Sequence, residues 1–383
     1  MKTPTNSPVN SPESSPTNPL LNILVRLPNW LGDVVLSAGF VRALHQRHPQ
    51  ARLHLVSKAA LAPLLPALLP AGADFRVHPF AKKDWPGVLG PWRFGRQLRR
   101  QAGPFARYYC LPDSFSTALL GLGSGAAARV GYAAQGRGLL LTHRPAPPAP
   151  GQHRADGYTR LLGAFAADAS AVPPPRHADV RLTRPPVAAA EQADAAGAAQ
   201  GQATGVAAAH PAAPAPLLLN FNSEAPARRM PAAKAAALIA ALRRAAPGQP
   251  LALLGAAPEA ARNAAILALL PPAARAEVQN LAGRTDLPGL LALLQAAPLL
   301  LSTDSGPAHV ANALGTPLVV CFGPGDEART GPYHPARAVV ARAPGPVPCG
   351  GCTNVCRFGA APPCLLHLDE AALAAAVQRL LRA

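Results

Sequence analysis

Short aliphatic runs recur along this chain, each giving way to a loop rich in Gly, Pro, Asn or Asp and then to a stretch with helical spacing. Leu21–Leu27 (LNILVRL) leads into PNWLGD and then VVLSAGFVRALHQRHP. Arg52–Val56, Phe75–Phe80 and Tyr108–Leu111 are further runs of the same kind. A second series begins at Leu217–Phe221 and continues through AAKAAALIAALRRAA, a run ending at Gly255, a helical Pro258–Leu270, Leu299–Leu301 and Pro317–Phe322. A strand that is apolar on consecutive residues must be covered on both faces, and strands alternating with helices supply that cover in a parallel sheet. The expected fold class is α/β, with two Rossmann-like parallel-sheet domains facing a central cleft.

Length and composition set the division. A chain of 383 residues exceeds one ordinary core. Between the two series, residues 185–216 are rich in Ala, Pro and Gly with few bulky apolar side chains, the composition of a linker. Residues 21–184 then form an N-terminal domain and 217–383 a C-terminal one. Residues 1–20 are rich in Ser, Pro, Asn and Thr and read as a disordered tail without the apolar stretch of a signal peptide, so a reducing cytoplasm is the expected compartment. No run is apolar enough to span a bilayer. The charge, 36 Lys+Arg less 19 Asp+Glu, is +17 and favours anionic partners. Nucleic acid is disfavoured among them: the basic residues are scattered, few aromatics interleave with them, and no nucleic-acid motif is present.

In an open parallel sheet, ligands bind beyond the carboxyl ends of the strands, so the strand-to-helix loops are the places for chemistry. Arg26–Asp33 is such a loop. Gly32 allows close backbone approach, and Asp33 is either a helix cap or a general base facing the cleft. Ser302–His309 offers small residues before a helix, a place for an anion or merely a capped helix start. Asn220–Pro231 places Arg228 and Arg229 after a strand, where a guanidinium can fork onto phosphate oxygens or simply be solvated. Cys349, Cys352, Cys356 and Cys364 are spaced C-x2-C-x3-C-x7-C. That spacing matches a zinc ribbon poorly, and reduced, buried thiols with no metal are expected.

Taken in order, these loops resemble the ADP-heptose:lipopolysaccharide heptosyltransferases, the family 9 glycosyltransferases of GT-B fold. Arg26-Leu-Pro-Asn-Trp-Leu-Gly-Asp33 is similar to the family's N-terminal signature in its heptosyltransferase II form. Leu111-Pro-Asp-Ser-Phe-Ser-Thr-Ala-Leu119 and Arg129-Val-Gly-Tyr132 resemble the same branch, and Ser302–His309 with Asn312-Ala-Leu-Gly315 resembles the donor-site loop.

The resemblance implies inverting transfer of a manno-heptose from ADP-heptose to the lipid A-core acceptor, by a peripheral protein on the cytoplasmic face of the inner membrane; the alternatives are a family 9 relative using a different sugar or core acceptor, and a non-catalytic paralogue that binds a nucleotide sugar. It implies Asp33 as general base. Arg228 and the amides of Ser305 and Gly306 would hold the diphosphate, with Asp304, His309, Asn222, Ser223 and Glu259 on the donor side and Gly32, Asn29, Ser114 and Arg129 on the acceptor side. It implies no required cofactor, a divalent ion being at most stimulatory. Three positions depart from the family pattern: Arg228 stands for the usual Lys, Met230 for an aromatic, and Asp113 for an Asn.

Overall fold

The computed structural model describes residues 21–165, 179–183, 214–349, 352 and 354–383. The expected tail, and all but the last three residues of the expected linker, lie outside them. Strands β1 (Asn22–Arg26), β2 (Arg52–Ser57), β3 (Phe75–Pro79), β4 (Arg107–Cys110) and β5 (Ala128–Val130) form one sheet in the order β3-β2-β1-β4-β5. Strands β6 (Leu217–Asn220), β7 (Leu251–Leu253), β8 (Val278–Asn280), β9 (Leu300–Thr303), β10 (Leu318–Cys321) and β11 (Ala338–Ala341) form a second in the order β11-β10-β9-β6-β7-β8. Every pairing is parallel. The order reverses beside β1 in one sheet and beside β6 in the other, which makes two doubly wound, Rossmann-like halves with a crevice at each reversal.

The helices are α1 (Leu31–Leu36), α2 (Ala38–Arg47), α3 (Gly90–Ala102), α4 (Phe115–Ser124) and α5 (Arg154–Arg160) in the first half. The second half carries α6 (Ala232–Ala245), α7 (Ala260–Ala268), α8 (Pro272–Ala276), α9 (Leu287–Ala296), α10 (Gly306–Leu314), α11 (Glu327–Thr330), α12 (Pro363–Leu366) and α13 (Glu370–Arg382). Among the described residues no helix is long and apolar enough to cross a membrane.

Local chemistry accounts for these elements. β6, β9 and β10 are buried along their whole length, as double-sided cover requires. In the Ala-rich α6, Ala235, Leu238, Ile239 and Leu242 recur at helical spacing and bury one stripe. α13 closes the same core with Leu373 and Val377, starts on Asp369, whose side chain accepts from the amides of Ala371 and Ala372, and is tied to α6 by Lys234 and Glu370 at 2.7 Å.

The largest apolar cluster runs through both halves, from Leu64 and Leu68 of the first to Leu291 and Leu294 of α9 in the second. Residues 179–183 strap the seam. The Leu182 amide donates to the Ala313 carbonyl of the second half, and the Thr183 amide to the Ala67 carbonyl of the first, at 3.0 and 2.9 Å.

One polar pair lies inside the first half. His54 on β2 stacks on His78 of β3, with Nδ1 and Nε2 2.9 Å apart. Burial pushes the His54 imidazole down to about 4, helped by His78, Arg52 and Arg76 and opposed by Asp74. The unfolded chain takes up this proton near pH 6.5 while the fold does not, so the contribution to stability is complete above about pH 6.5 and drains away as pH falls toward 4. On the order of 3 kcal/mol is at stake. Urea unfolding at pH 7.5 and at pH 4.5 is expected to show a smaller pH-dependent loss in His54→Gln than in the unaltered protein; an equal loss in both would remove His54 from the acid sensitivity.

Candidate functional site

Asp33 lies in the first turn of α1, immediately beyond β1 at the reversal of the first sheet. It does not cap that helix: the cap position is Trp30, with no side-chain bond. The carboxylate instead accepts from Arg154 Nη1 of α5 at 2.7 Å; the Asp33 side chain is largely enclosed, and that of Arg154 is 36% exposed.

Across the seam stands α10, at the reversal of the second sheet beyond β9. The two helices meet at their starts through two glycines. A Cβ on Gly32 would run into the imidazole of His309, and one on Gly306 would press the Leu31 side chain at about 3 Å. Replacing either glycine would force the halves apart. Pro307 in the first turn of α10 carries no amide proton and the Ala308 amide donates to the Ser305 carbonyl at 3.2 Å, so with no side-chain cap the amides of Ser305 and Gly306 are the ones offered to a ligand. Ser305 turns its hydroxyl inward, accepting from Asn220 Nδ2 at 2.8 Å.

The charges here are internally balanced. Arg228 Nη1 lies 3.1 Å from Asp304 Oδ2, and Asp304 is almost wholly buried. A buried carboxylate stripped of its cation costs several kcal/mol, so Asp304 fixes the position of Arg228. Burial lowers the His309 pKa against the pull of Asp304 and Asp33. His309 is therefore neutral near pH 7, and it crosses the seam without adding a charge.

The remaining donor-side residues fall below or beside this centre. Asn222 is buried, donating to the Leu254 carbonyl and to Asn263 Oδ1 at 3.0 Å each; it braces the loops from beneath. Ser223 is also buried, and its carbonyl accepts from Arg229 Nε at 2.7 Å. Glu259 accepts from the Ala256 amide at 2.8 Å and shapes the turn before α7. Gly255 lies between Asn222 and Glu259, where a Cβ would stand 3.0 Å from the Asn222 amide group.

On the acceptor side the placement is mixed. Asn29 accepts from Arg26 Nη2 at 2.6 Å, and the buried Arg26 also donates to the Leu27 and Val56 carbonyls, so this pair stiffens the loop that carries Asp33. Ser114 heads α4 and bonds to Ser116 and Thr117. The Arg129 guanidinium is spent on the Ala126 and Leu140 carbonyls at 3.0 and 2.8 Å. The fully buried Arg137 takes the Asp113 carboxylate at 2.8 Å. Thus the acid standing for the usual Asn has its own countercharge.

Sequence reasoning missed Arg154 and Arg137, and it quoted Arg26 and Asn312 within motifs without a role for either; the Asn312 side chain clamps the His334 backbone at 2.7 and 2.9 Å. It also missed the seam contact of α5, where His153 reaches the Gly331 carbonyl at 3.0 Å and Asp156 accepts from Tyr333 at 2.6 Å.

Met230 is fully buried in the second core. All six cysteines are free thiols, and burial pushes Cys364 up to about 11, with Cys349, Cys352 and Cys356 adding to the shift. Among the described residues no group of three or more His, Cys, Asp or Glu is arranged to hold a metal ion.

Two Rossmann-like halves, a carboxylate at one sheet reversal and an open helix start at the other, define a GT-B glycosyltransferase. The sequence profile of glycosyltransferase family 9 (heptosyltransferase) matches residues 91–356, and the chain belongs to that family. It is 29% identical to the lipopolysaccharide heptosyltransferase 2 of Escherichia coli over 335 residues, covering 83% of this chain and 88% of that protein. The solved structure of E. coli ADP-heptose lipopolysaccharide heptosyltransferase II superposes with a TM-score of 0.72 at 25% identity, over 94% of this chain and 99% of that one. A family 9 glycosyltransferase from Veillonella parvula shares the fold, with a TM-score of 0.71 at 19% identity over 94% and 97% of the two chains.

Arg154 reaches Asp33 from a different helix and sets the direction of its carboxylate. Arg154→Gln is expected to lower kcat about tenfold with little change in the KM for donor. Steady-state kinetics checks this, and an unchanged kcat would leave the pair a structural tie.

Proposed function

We propose that this protein transfers a manno-heptose from ADP-heptose to a heptose hydroxyl of the lipopolysaccharide inner core, with inversion at the anomeric carbon. The observation that carries this reading is the placement of Asp33 on one side of the seam opposite the open start of α10 on the other. A sugar nucleotide lying along the second half would present its anomeric carbon between them.

In this scheme Asp33, directed by Arg154, takes the proton of the acceptor hydroxyl as its oxygen attacks C1 and ADP leaves on the opposite face. Negative charge grows on the departing diphosphate. Arg228 and the amides of Ser305 and Gly306 at the start of α10 are the groups that meet it, with the helix dipole adding to their pull. Neutral His309 and Gly32 keep the two sides close without a competing charge. Fixed positive groups serve the leaving diphosphate, so the scheme requires no divalent ion. The acceptor side is the first half, near Asp113 and Ser114 at the head of α4, and the protein works at the cytoplasmic leaflet as a peripheral protein.

Asp33→Asn keeps the shape and removes the base. It is expected to lower turnover roughly a hundredfold or more while ADP affinity stays within about twofold. Transfer of radiolabelled heptose and calorimetry with ADP measure the two effects; near-normal turnover would exclude Asp33 as the base. Arg228→Ala removes a charge-assisted contact and also leaves the buried Asp304 without its cation, so in protein shown by circular dichroism to be folded it is expected to weaken ADP binding by about 2 kcal/mol. Calorimetry decides, and unchanged affinity would remove Arg228 from the diphosphate site.

A further inference from the structure

Residues 85–155 contain nine arginines and a single acid, Asp113. In sequence these arginines look scattered. The fold gathers four of them, Arg93, Arg96, Arg99 and Arg100, on the exposed face of α3, opposite the buried stripe of Phe94, Gly95 and Leu98. None of the four is paired with an acidic side chain among the described residues. Like charges three and four positions apart on a helix repel one another, and among the described residues this face has no acidic countercharge.

Apolar side chains share the face. Val88 and Leu89, just ahead of α3, are 79% and 59% exposed, and Leu122 of α4 is 39% exposed. The Arg96 guanidinium lies over the Trp92 ring, 4.8 Å from its centroid. A groove between the two helices is lined by Trp92, Arg96, Arg99, Arg100, Leu122 and Gly123. α3 and α4 touch backbone to backbone: a Cβ on Gly95 would strike the Leu120 carbonyl, and one on Gly123 the Trp92 carbonyl. The arginines are thus carried on a stiff pair of helices.

We propose that this α3 face is the surface by which the protein sits on an anionic lipid leaflet. Unpaired guanidinium groups meet lipid phosphates, while Val88, Leu89, Trp92 and Leu122 enter the headgroup layer, the division of labour of an interfacial amphipathic helix. A nucleic-acid groove would have no use for that apolar fringe. The proposal rests on the transferase reading for its purpose. α3 and α4 both follow the carboxyl ends of their strands, so Ser114 stands at the cleft end of the lipid-facing pair and a membrane-anchored acceptor can reach the cleft while the protein stays docked.

Co-sedimentation with vesicles tests it, using phosphatidylcholine alone and phosphatidylcholine doped with phosphatidylglycerol. The full chain is expected to bind only the doped vesicles and to be released by high salt. The triple variant Arg96→Glu, Arg99→Glu, Arg100→Glu is expected to bind them about a hundredfold more weakly. A control with the same charge change on the second half, Arg244→Glu, Arg379→Glu, Arg382→Glu, is expected to bind as the unaltered protein does. Val88→Ser with Leu89→Ser should weaken binding with every charge in place. Unchanged ADP affinity in each variant shows that the fold survives.

Three results would overturn the proposal: no binding of the unaltered protein to doped vesicles, equal losses in both triple variants, or capture of duplex DNA by these arginines with vesicles ignored. Docking through α3 by a protein that transfers no heptose would sink the transferase reading and leave the surface standing. Transfer in detergent by a protein that ignores vesicles would do the reverse.

Discussion

The site depends on two helix starts being allowed to touch. α1 follows β1 and α10 follows β9, strands that flank the reversals of their two sheets, and the helices meet through Gly32 against His309 and Gly306 against Leu31. A side chain at either glycine would hold the halves apart, and Asp33 would then face water in place of the open start of α10. The seam is made by absent atoms as much as by present ones. Around it the apolar cluster shared by both halves, the strap at 179–183 and the α5 contacts through His153 and Asp156 hold the approach in place.

Electrostatics at the seam follows from the same closeness. Bringing Asp33, Asp304, Arg154 and Arg228 into a partly enclosed space would be costly were each charge alone. They are paired, Arg154 with Asp33 and Arg228 with Asp304, and the imidazole between them stays neutral. A pairing of this kind orients groups more than it stabilises the fold, since desolvation consumes much of the attraction. Its product is direction: a carboxylate turned by a helix 121 residues away in sequence, and a guanidinium held at the mouth of a helix start.

Much of the architecture was legible because it is written in consecutive apolar residues. The central strands of both sheets fall within a residue or two of their expected bounds. β5, β8 and β11 were not read, and each is an edge strand of three or four residues, ARV, VQN and AVVA, that needs cover on fewer sides and so carries a weaker pattern. At the site, Gly32, Asp33, Asp304, Gly306 and His309 were legible because each belongs to a strand-to-helix loop. Arg154 and Arg137 were not, because nothing local marks an arginine whose partner arrives from another element. Arg129 shows the converse: a motif position whose guanidinium is occupied by two backbone carbonyls. The arginines of α3 show it for surfaces, since a run of basic residues acquires a face only once its helix is packed.

The departures in the phosphate loop then have a physical order. Met230 points into the second core, where an unbranched, polarisable side chain fills the volume an aromatic ring would take, and its carbonyl is held by Arg262. Arg229 is pinned to the Ser223 and Glu224 carbonyls. With both neighbours fixed, the side chain at position 228 is delivered to Asp304. That carboxylate is buried, so a cation at 228 is required by the fold before any donor arrives. A lysine would meet the requirement with one point charge; the planar guanidinium of Arg228 can face Asp304 through one nitrogen and keep others for the diphosphate. The identity of the cation is free to vary where its charge is not, and Arg228 is the form that serves both partners.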